Sequence, residues 1–372
     1  MNAKRFINIL GAEYFTGVPD SLLRSLCDCI IDVYGLDPSH HVIAANEGNA
    51  VALAGGYYLA TGKTPVVYMQ NSGEGNIINP LASLLNEKVY AIPSIFVIGW
   101  RAEPGIHDEP QHIFQGEVTL RLLDTMDVPY YVVDGDTTEE SLKNVMKGFS
   151  TVLDEGRQVA FVIKKNALTN ENKVKYENNY TLSREAAIEE IVKHSGDSPV
   201  ISTTGKTSRE LFEIRERMGM SHESDFLTVG SMGHASSIAL SIAVQKPSKR
   251  IWCIDGDGAA LMHMGAMAVI GSLAPDNLIH NVINNGAHES VGGMPTAMRN
   301  IDLTEIAKSC GYKYCYRVES LEELDSALDM IVKTKELSFV EIAAKIGSRA
   351  DLGRPTISQK DNKIAFMNQL SK

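Results

Sequence analysis

Gly256-Asp257-Gly258 is followed, after the 25 residues 259–283, by Asn284-Asn285. The acid comes just after one apolar run, Ile251 to Asp255, and the amides close another, Leu278 to Ile283. Both runs read as buried parallel strands. Each strand would deliver an oxygen at its carboxyl end, where open α/β sheets keep their ligands. The flanking glycines let the backbone turn sharply and approach a bulky anion. One carboxylate and one amide carbonyl are hard donors, too few to cage a metal alone. That suits Mg²⁺, which takes one or two carboxylates and completes its octahedron with phosphate oxygens and water. The competing explanation is a pair of ordinary strand-end turns, which Gly, Asp and Asn also populate.

The elements that must hold these turns follow from the hydrophobic pattern. Strand-like runs alternate with helical patterns along the chain, as in parallel α/β architecture. In the first half strands are expected at 14–16, 42–44, 66–69, 95–98, 130–133 and 160–163, with helices beginning near Asp20, Glu47, Asn76, Gln115 and Thr138. A polar stretch rich in Lys and Asn, Lys164 to Thr181, reads as an exposed linker. The alternation restarts at Ser183, with strands expected at 200–202, 226–229, 251–255, 278–283, 312–316 and 339–343. The expected plan is two α/β units, 1–165 and 183–372, each a mainly parallel sheet flanked by helices, joined by a linker at 166–182.

Composition narrows the function classes. A chain of 372 residues with 44% hydrophobic and 22% charged residues is that of a globular protein with ample core. Its net charge of −11 argues against a nucleic-acid surface, so an anionic substrate must be met by local donors. No stretch approaches 18 apolar residues and Met1 to Phe6 lacks an apolar run, so neither membrane spanning nor export is expected. The five cysteines form no paired CxxC set and read as reduced thiols of a cytoplasmic protein, with no zinc site.

The Gly-Asp-Gly to Asn-Asn spacing resembles the motif of the thiamine diphosphate enzymes, and the two halves resemble their pyrimidine-binding and diphosphate-binding domains without the central third domain of the larger decarboxylases. That compact plan is similar to the phosphonopyruvate and sulfopyruvate decarboxylases. Further segments carry this resemblance: Gly17-Val18-Pro19-Asp20-Ser21, Asn46-Glu47-Gly48-Asn49-Ala50, Met69-Gln70-Asn71-Ser72-Gly73, Gly99-Trp100-Arg101 and Asp108-Glu109-Pro110-Gln111-His112. Later ones are Gly230-Ser231-Met232-Gly233-His234, Ser290-Val291-Gly292-Gly293 and Leu352-Gly353-Arg354-Pro355-Thr356. Two positions depart from the pattern: Glu74 stands where an apolar residue is usual, and Ala102 where Gly is usual.

The resemblance implies thiamine diphosphate and Mg²⁺ as cofactors, with Gly256, Asp257 and Gly258 at the diphosphate. The metal would be held by Asp257, Asn284 and the carbonyl of Gly286. Glu47 would hydrogen-bond N1′ of the aminopyrimidine, where sharing a proton lets the cofactor supply its own base. Alone, Glu47 would read as an acid favoured at a helix start. Met232 would support the folded cofactor and the Gly230 carbonyl would accept from its amino group, although Met is also a common gap-filler. The substrate would be a small anionic 2-oxo acid. Its charged tail would meet Pro19, Asp20 and Ser21 at a helix start with free N–H groups, Asn71 and Ser72 after a strand, and the fork of Arg101. His112 and His288, with His107, are candidates for proton transfer. The family plan further implies a homo-oligomer with active sites at subunit interfaces.

Three activities remain to be separated: decarboxylation of phosphonopyruvate with sulfopyruvate as rival substrate, carboligation or 2-oxo acid synthesis within the same superfamily, and a nonenzymatic cofactor-binding module. A dinucleotide-binding site is not expected, because no strand runs into GxGxxG with an acid about 20 residues on.

Overall fold

The computed structural model describes residues 1–372, the side chain of Ser290 excepted. The chain divides into two compact units, Met1–Lys175 and Tyr176–Lys372. In the first, strands β1 (Phe15–Gly17), β2 (His41–Ile43), β3 (Val66–Gln70), β4 (Ser94–Gly99), β5 (Tyr130–Val133) and β6 (Gln158–Ile163) form one sheet in the order β2-β1-β3-β4-β6-β5. In the second, β7 (Val200–Ser202), β8 (Asp225–Leu227), β9 (Ile251–Gly256) and β10 (Leu278–Asn284) precede a short antiparallel hairpin, β11 (Ala287–His288) with β12 (Met294–Pro295). With β13 (Tyr314–Val318) and β14 (Ser338–Ala343) the second sheet runs β13-β14-β10-β9-β7-β8. Neighbouring strands in both six-stranded sheets are parallel.

The apolar runs explain the layering. Parallel strands covered by helices on both faces must be apolar on both, and β4, β6, β10 and β14 are buried along their whole length. On β9 successive residues enter opposite layers: Trp252 and Ile254 pack in one core, Ile251 and Cys253 in the other. The helix Glu47–Thr61 starts where Asn46 accepts the Asn49 N–H, and it presses Ala50, Val51 and Ala54 onto the first sheet.

Three helix starts differ from the expected positions. The helix after β1 begins at Arg24 rather than near Asp20, because Asp20 caps the preceding turn with its own carboxylate. The next begins at Glu74 rather than near Asn76, directly out of the 3₁₀ turn Asn71–Gly73. A third begins at Pro110 rather than near Gln115, since proline's fixed φ suits the first helical position. The expected linker is also shorter at its start. Ala167 and Leu168 are buried, and Thr169 exchanges backbone hydrogen bonds with Met1 and Ala3, so these residues belong to the first unit. Among the described residues no helix is long and apolar enough to cross a membrane.

Candidate active site

In the second unit the two motif turns sit side by side, because β9 and β10 are paired with Gly256 opposite Ile283. The Asp257 carboxylate is 5% exposed and receives only neutral donors: the Thr296 hydroxyl at 2.7 Å and backbone N–H groups that include those of Gly258 and Gly286. Burial pushes its carboxyl up to about 6, and no cation pairs with it among the described residues. A buried carboxyl without a counter-charge is the condition a divalent ion relieves, so the donor set fits Mg²⁺.

The rest of the expected ligand set fits less simply. Asn284 donates to Glu341 Oε1 at 2.7 Å, and its Oδ1 accepts the Gly286 N–H at 3.0 Å. Asn285 is arranged alike, with Nδ2 on Glu289 at 2.8 Å and Oδ1 on the Ala287 N–H at 3.0 Å. The Gly286 carbonyl accepts from both Thr296 N–H and Arg299 Nε, each at 3.0 Å. Both its lone pairs are therefore engaged, and a metal held there would displace one of these donors.

Met232 and His288 converge on the same turn. A methyl group added to Gly258 would come 3.3 Å from both the Met232 terminal carbon and the His288 ring, so a larger residue there would press on both. Gly230 and Met232 lie in the segment after β8, both half-buried. Burial lowers His288 to about 4.

In the first unit Glu47 is the first residue of its helix and is 5% exposed. Its Oε2 accepts from Asn76 Nδ2 at 2.6 Å, and its stem lies against Gly73, where an added Cβ would come 2.5 Å from Glu47 Cγ and Oε1. The sheet order makes this possible by bringing the ends of β1, β2 and β3 to one edge.

The proposed substrate contacts split. Pro19 and Asp20 are buried, and Asp20 accepts from Gln70 Nε2 at 2.5 Å and from Leu22 and Leu23 N–H. The Leu22 and Leu23 N–H groups are thus capped internally by Asp20 and are not free for an anion. Asn71 is fully buried and structural: it donates to the Arg101 carbonyl and Thr119 Oγ1, and accepts the Arg101 N–H. Ser21 and Ser72 remain exposed. Arg101 grips Asp108 through two nitrogens and reaches Ser21 Oγ at 3.2 Å. Burial raises the Asp108 carboxyl, but the Arg101 hydrogen bonds and charge outweigh it and hold it well below the usual carboxylate range. His112 is half-buried with a lowered pKa, from burial and then the Arg101 charge, while His107 is exposed. Ala102 sits at φ 51°, a region glycine adopts at no steric cost.

Sequence reasoning missed Thr296, Asn76 and Gln115. Thr296 reaches Asp257 only once the β11–β12 hairpin forms, a signal no local pattern carries. Asn76 lies 29 positions from Glu47 and is joined to it only by the fold.

The family of thiamine pyrophosphate enzymes, N-terminal TPP binding domain, matches residues 5–126, and its C-terminal TPP binding domain matches residues 203–342. The chain belongs to the thiamine pyrophosphate enzymes, on their decarboxylase branch. It is 34% identical over 367 residues to a phosphonopyruvate decarboxylase of Streptomyces viridochromogenes, covering 94% of this chain and 89% of that protein. A phosphonopyruvate decarboxylase of Streptomyces hygroscopicus is 32% identical over 370 residues, 94% and 88% of the two chains. A sulfopyruvate decarboxylase of Methanosarcina acetivorans is 30% identical over 327 residues, 81% of each.

Proposed function

We propose that this chain, with thiamine diphosphate and Mg²⁺ bound, decarboxylates 3-phosphonopyruvate to phosphonoacetaldehyde and carbon dioxide, a step of phosphonate biosynthesis. The observation that carries the reading is the 34% identity to a phosphonopyruvate decarboxylase sustained over 94% of the chain. When bound, thiamine diphosphate supplies the nucleophilic carbon and the electron sink that a 2-oxo acid needs to lose carbon dioxide. Glu47, fixed by Asn76, holds its carboxyl for N1′ of the aminopyrimidine. Met232 and the Gly230 carbonyl shape the seat of the ring. Asp257 and an amide oxygen of the Asn284–Asn285 pair hold the metal. Arg101, presented beside Ser21, and exposed Ser72 meet the phosphonate, and neutral His288 offers a ring N–H close to the Gly256–Gly258 turn. The protein acts as a homo-oligomer, which sedimentation would check.

Sulfopyruvate is the second reading, favoured by the 30% identity to the Methanosarcina enzyme. Comparing kcat/KM for phosphonopyruvate, sulfopyruvate and pyruvate tests both. The expected result is preferential turnover of phosphonopyruvate with release of free aldehyde. Faster turnover of sulfopyruvate overturns the substrate, and a condensed product in place of aldehyde overturns the reaction in favour of carboligation.

A further inference from the structure

Glu74 opens the helix Glu74–Pro80 directly after the Asn71–Gly73 turn, and its side chain is only 2% exposed. Oε2 accepts from Gln115 Nε2 at 3.2 Å, while Oε1 has no hydrogen-bond partner among the described residues. An ionised carboxylate would leave that oxygen bare in the protein interior, a costly state.

The groups around it offer no counter-charge. From the helix Pro110–Thr125 it meets the neutral side chains of Gln115 and Thr119. His112 of the same helix is held toward its neutral form, by burial first. On the side of the helix Glu47–Thr61 stands another acid, Glu47, packed on Gly73. Asn71 of the turn is neutral, and Arg101 beyond it is committed to Asp108. Burial accordingly pushes the Glu74 carboxyl up to about 8, with Gln115 and Thr119 opposing the rise. The Gln115 amide that reaches Glu74 also donates to the Asn71 carbonyl at 2.8 Å, so the carboxyl and the turn share one donor.

We propose that Glu74 sets the charge selectivity of the anion site assigned above to Arg101, Ser21 and exposed Ser72: as a neutral acid it lets that site accept a doubly charged phosphonate, and on losing its proton it disfavours that dianion relative to a singly charged sulfonate. The inference rests on the decarboxylase reading above. Its physics is that a desolvated charge without a partner acts on nearby anions in proportion to their charge. One extra unit of charge several ångströms away is worth on the order of tenfold in relative binding.

The test compares holoenzyme, wild type and Glu74→Gln, using kcat/KM for phosphonopyruvate and sulfopyruvate between pH 6.5 and 9.5. In the wild type the phosphonopyruvate-to-sulfopyruvate ratio should fall about tenfold with a midpoint near 8. In Glu74→Gln, which keeps an acceptor for Gln115, that fall should vanish. The second ionisation of the phosphonate itself affects both proteins alike and cancels between them. An equal fall in both, or none in the wild type, overturns the proposal. Should the variant fail to fold, carbon-13 NMR of glutamate-labelled wild type decides: one buried carboxyl titrating near 8 supports the proposal, and all carboxyls titrating below about 6 overturn it. Turnover of neither substrate defeats the decarboxylase reading first, and is seen before any pH series is run.

Discussion

Asn76 donates its side-chain amide to Glu47 Oε2 at 2.6 Å, so one helix start aims the carboxyl of another. Gly73 closes the opposite side. The acid is thus held by one hydrogen bond and one close packing contact, and its proposed work on the cofactor ring depends on both. Replacing Glu47 by Gln keeps an oxygen to accept from Asn76, so the fold should survive, with a melting temperature within a few degrees of wild type. The carboxyl is lost, and kcat should drop by about 10²–10⁴-fold, the usual worth of a positioned acid–base group. Asn76→Ala leaves the carboxyl but frees it, and a fall nearer tenfold is expected. Steady-state kinetics beside a thermal melt separates the two effects.

Gly73→Ala puts a carbon where Glu47 already is. Overpacking of this kind costs about 1–3 kcal/mol. Relief can come only by moving Glu47 or the Asn71–Gly73 turn, so activity should fall more than stability. Equal loss in a distant control such as Gly56→Ala, where an added Cβ meets nothing within 4 Å, would contradict this.

Calorimetry can decide the metal's partners without reference to turnover. Asp257→Ala should abolish Mg²⁺-dependent uptake of thiamine diphosphate. Asn284 and Asn285 are satisfied in parallel ways, on Glu341 and Glu289, and comparing Asn284→Ala with Asn285→Ala identifies which amide the ion uses. Arg299→Ala frees a lone pair of the Gly286 carbonyl. If that carbonyl is a ligand, Mg²⁺ should bind more tightly in the variant; unchanged or weaker binding removes Gly286 from the set.

The fold was legible because it is written in residue type. Runs such as Phe96 to Ile98 or Ile251 to Ile254 read as buried parallel strands, and each expected strand lies within about two residues of its place. The motif turns were legible because strand ends collect ligands. What escaped was long-range. Asp20 and Asn71 carry groups suited to an anion or its surroundings, yet the fold spends them on Leu22, Leu23 and Gln70 in one case and on Arg101 and Thr119 in the other. A polar residue's partner is set by what the chain brings beside it, and spacing along the sequence is silent about that. Glu74 is the opposite case: its type stood out against the family pattern, but only its burial and bare oxygen give the anomaly a physical meaning.

Glu74 should also mark the stability curve. Its folded-state value, about 8, lies above the ordinary 4.5 of the unfolded chain. The folded protein therefore keeps a proton that the unfolded chain releases, so its contribution is fully present below about 4.5 and is lost as pH rises toward 8. Glu74→Gln has no such proton to lose. Its melting temperature relative to wild type should climb across that window, and a gap that stays flat would argue that Glu74 ionises normally.

Arg215 and Asp225 offer the last test, away from the site. Both side chains are fully buried, joined by Nη2 to Oδ1 at 2.9 Å and by Nε to Oδ2 at 3.1 Å, while Nη1 donates to the Gly196 carbonyl at 2.7 Å. Burial raises the Asp225 carboxyl to about 6 despite the arginine, so desolvation takes back much of what the pairing gives. Such a pair need not stabilise the fold, but halving it leaves a buried charge alone. Arg215→Met should cost about 3–5 kcal/mol in urea unfolding. Replacing both residues by apolar ones of similar volume should recover most of that loss, because no charge is then stranded. A double variant as unstable as the single would mean that the arginine's bond to Gly196, rather than its pairing with Asp225, holds the turn between the helix Arg184–Ser195 and β7.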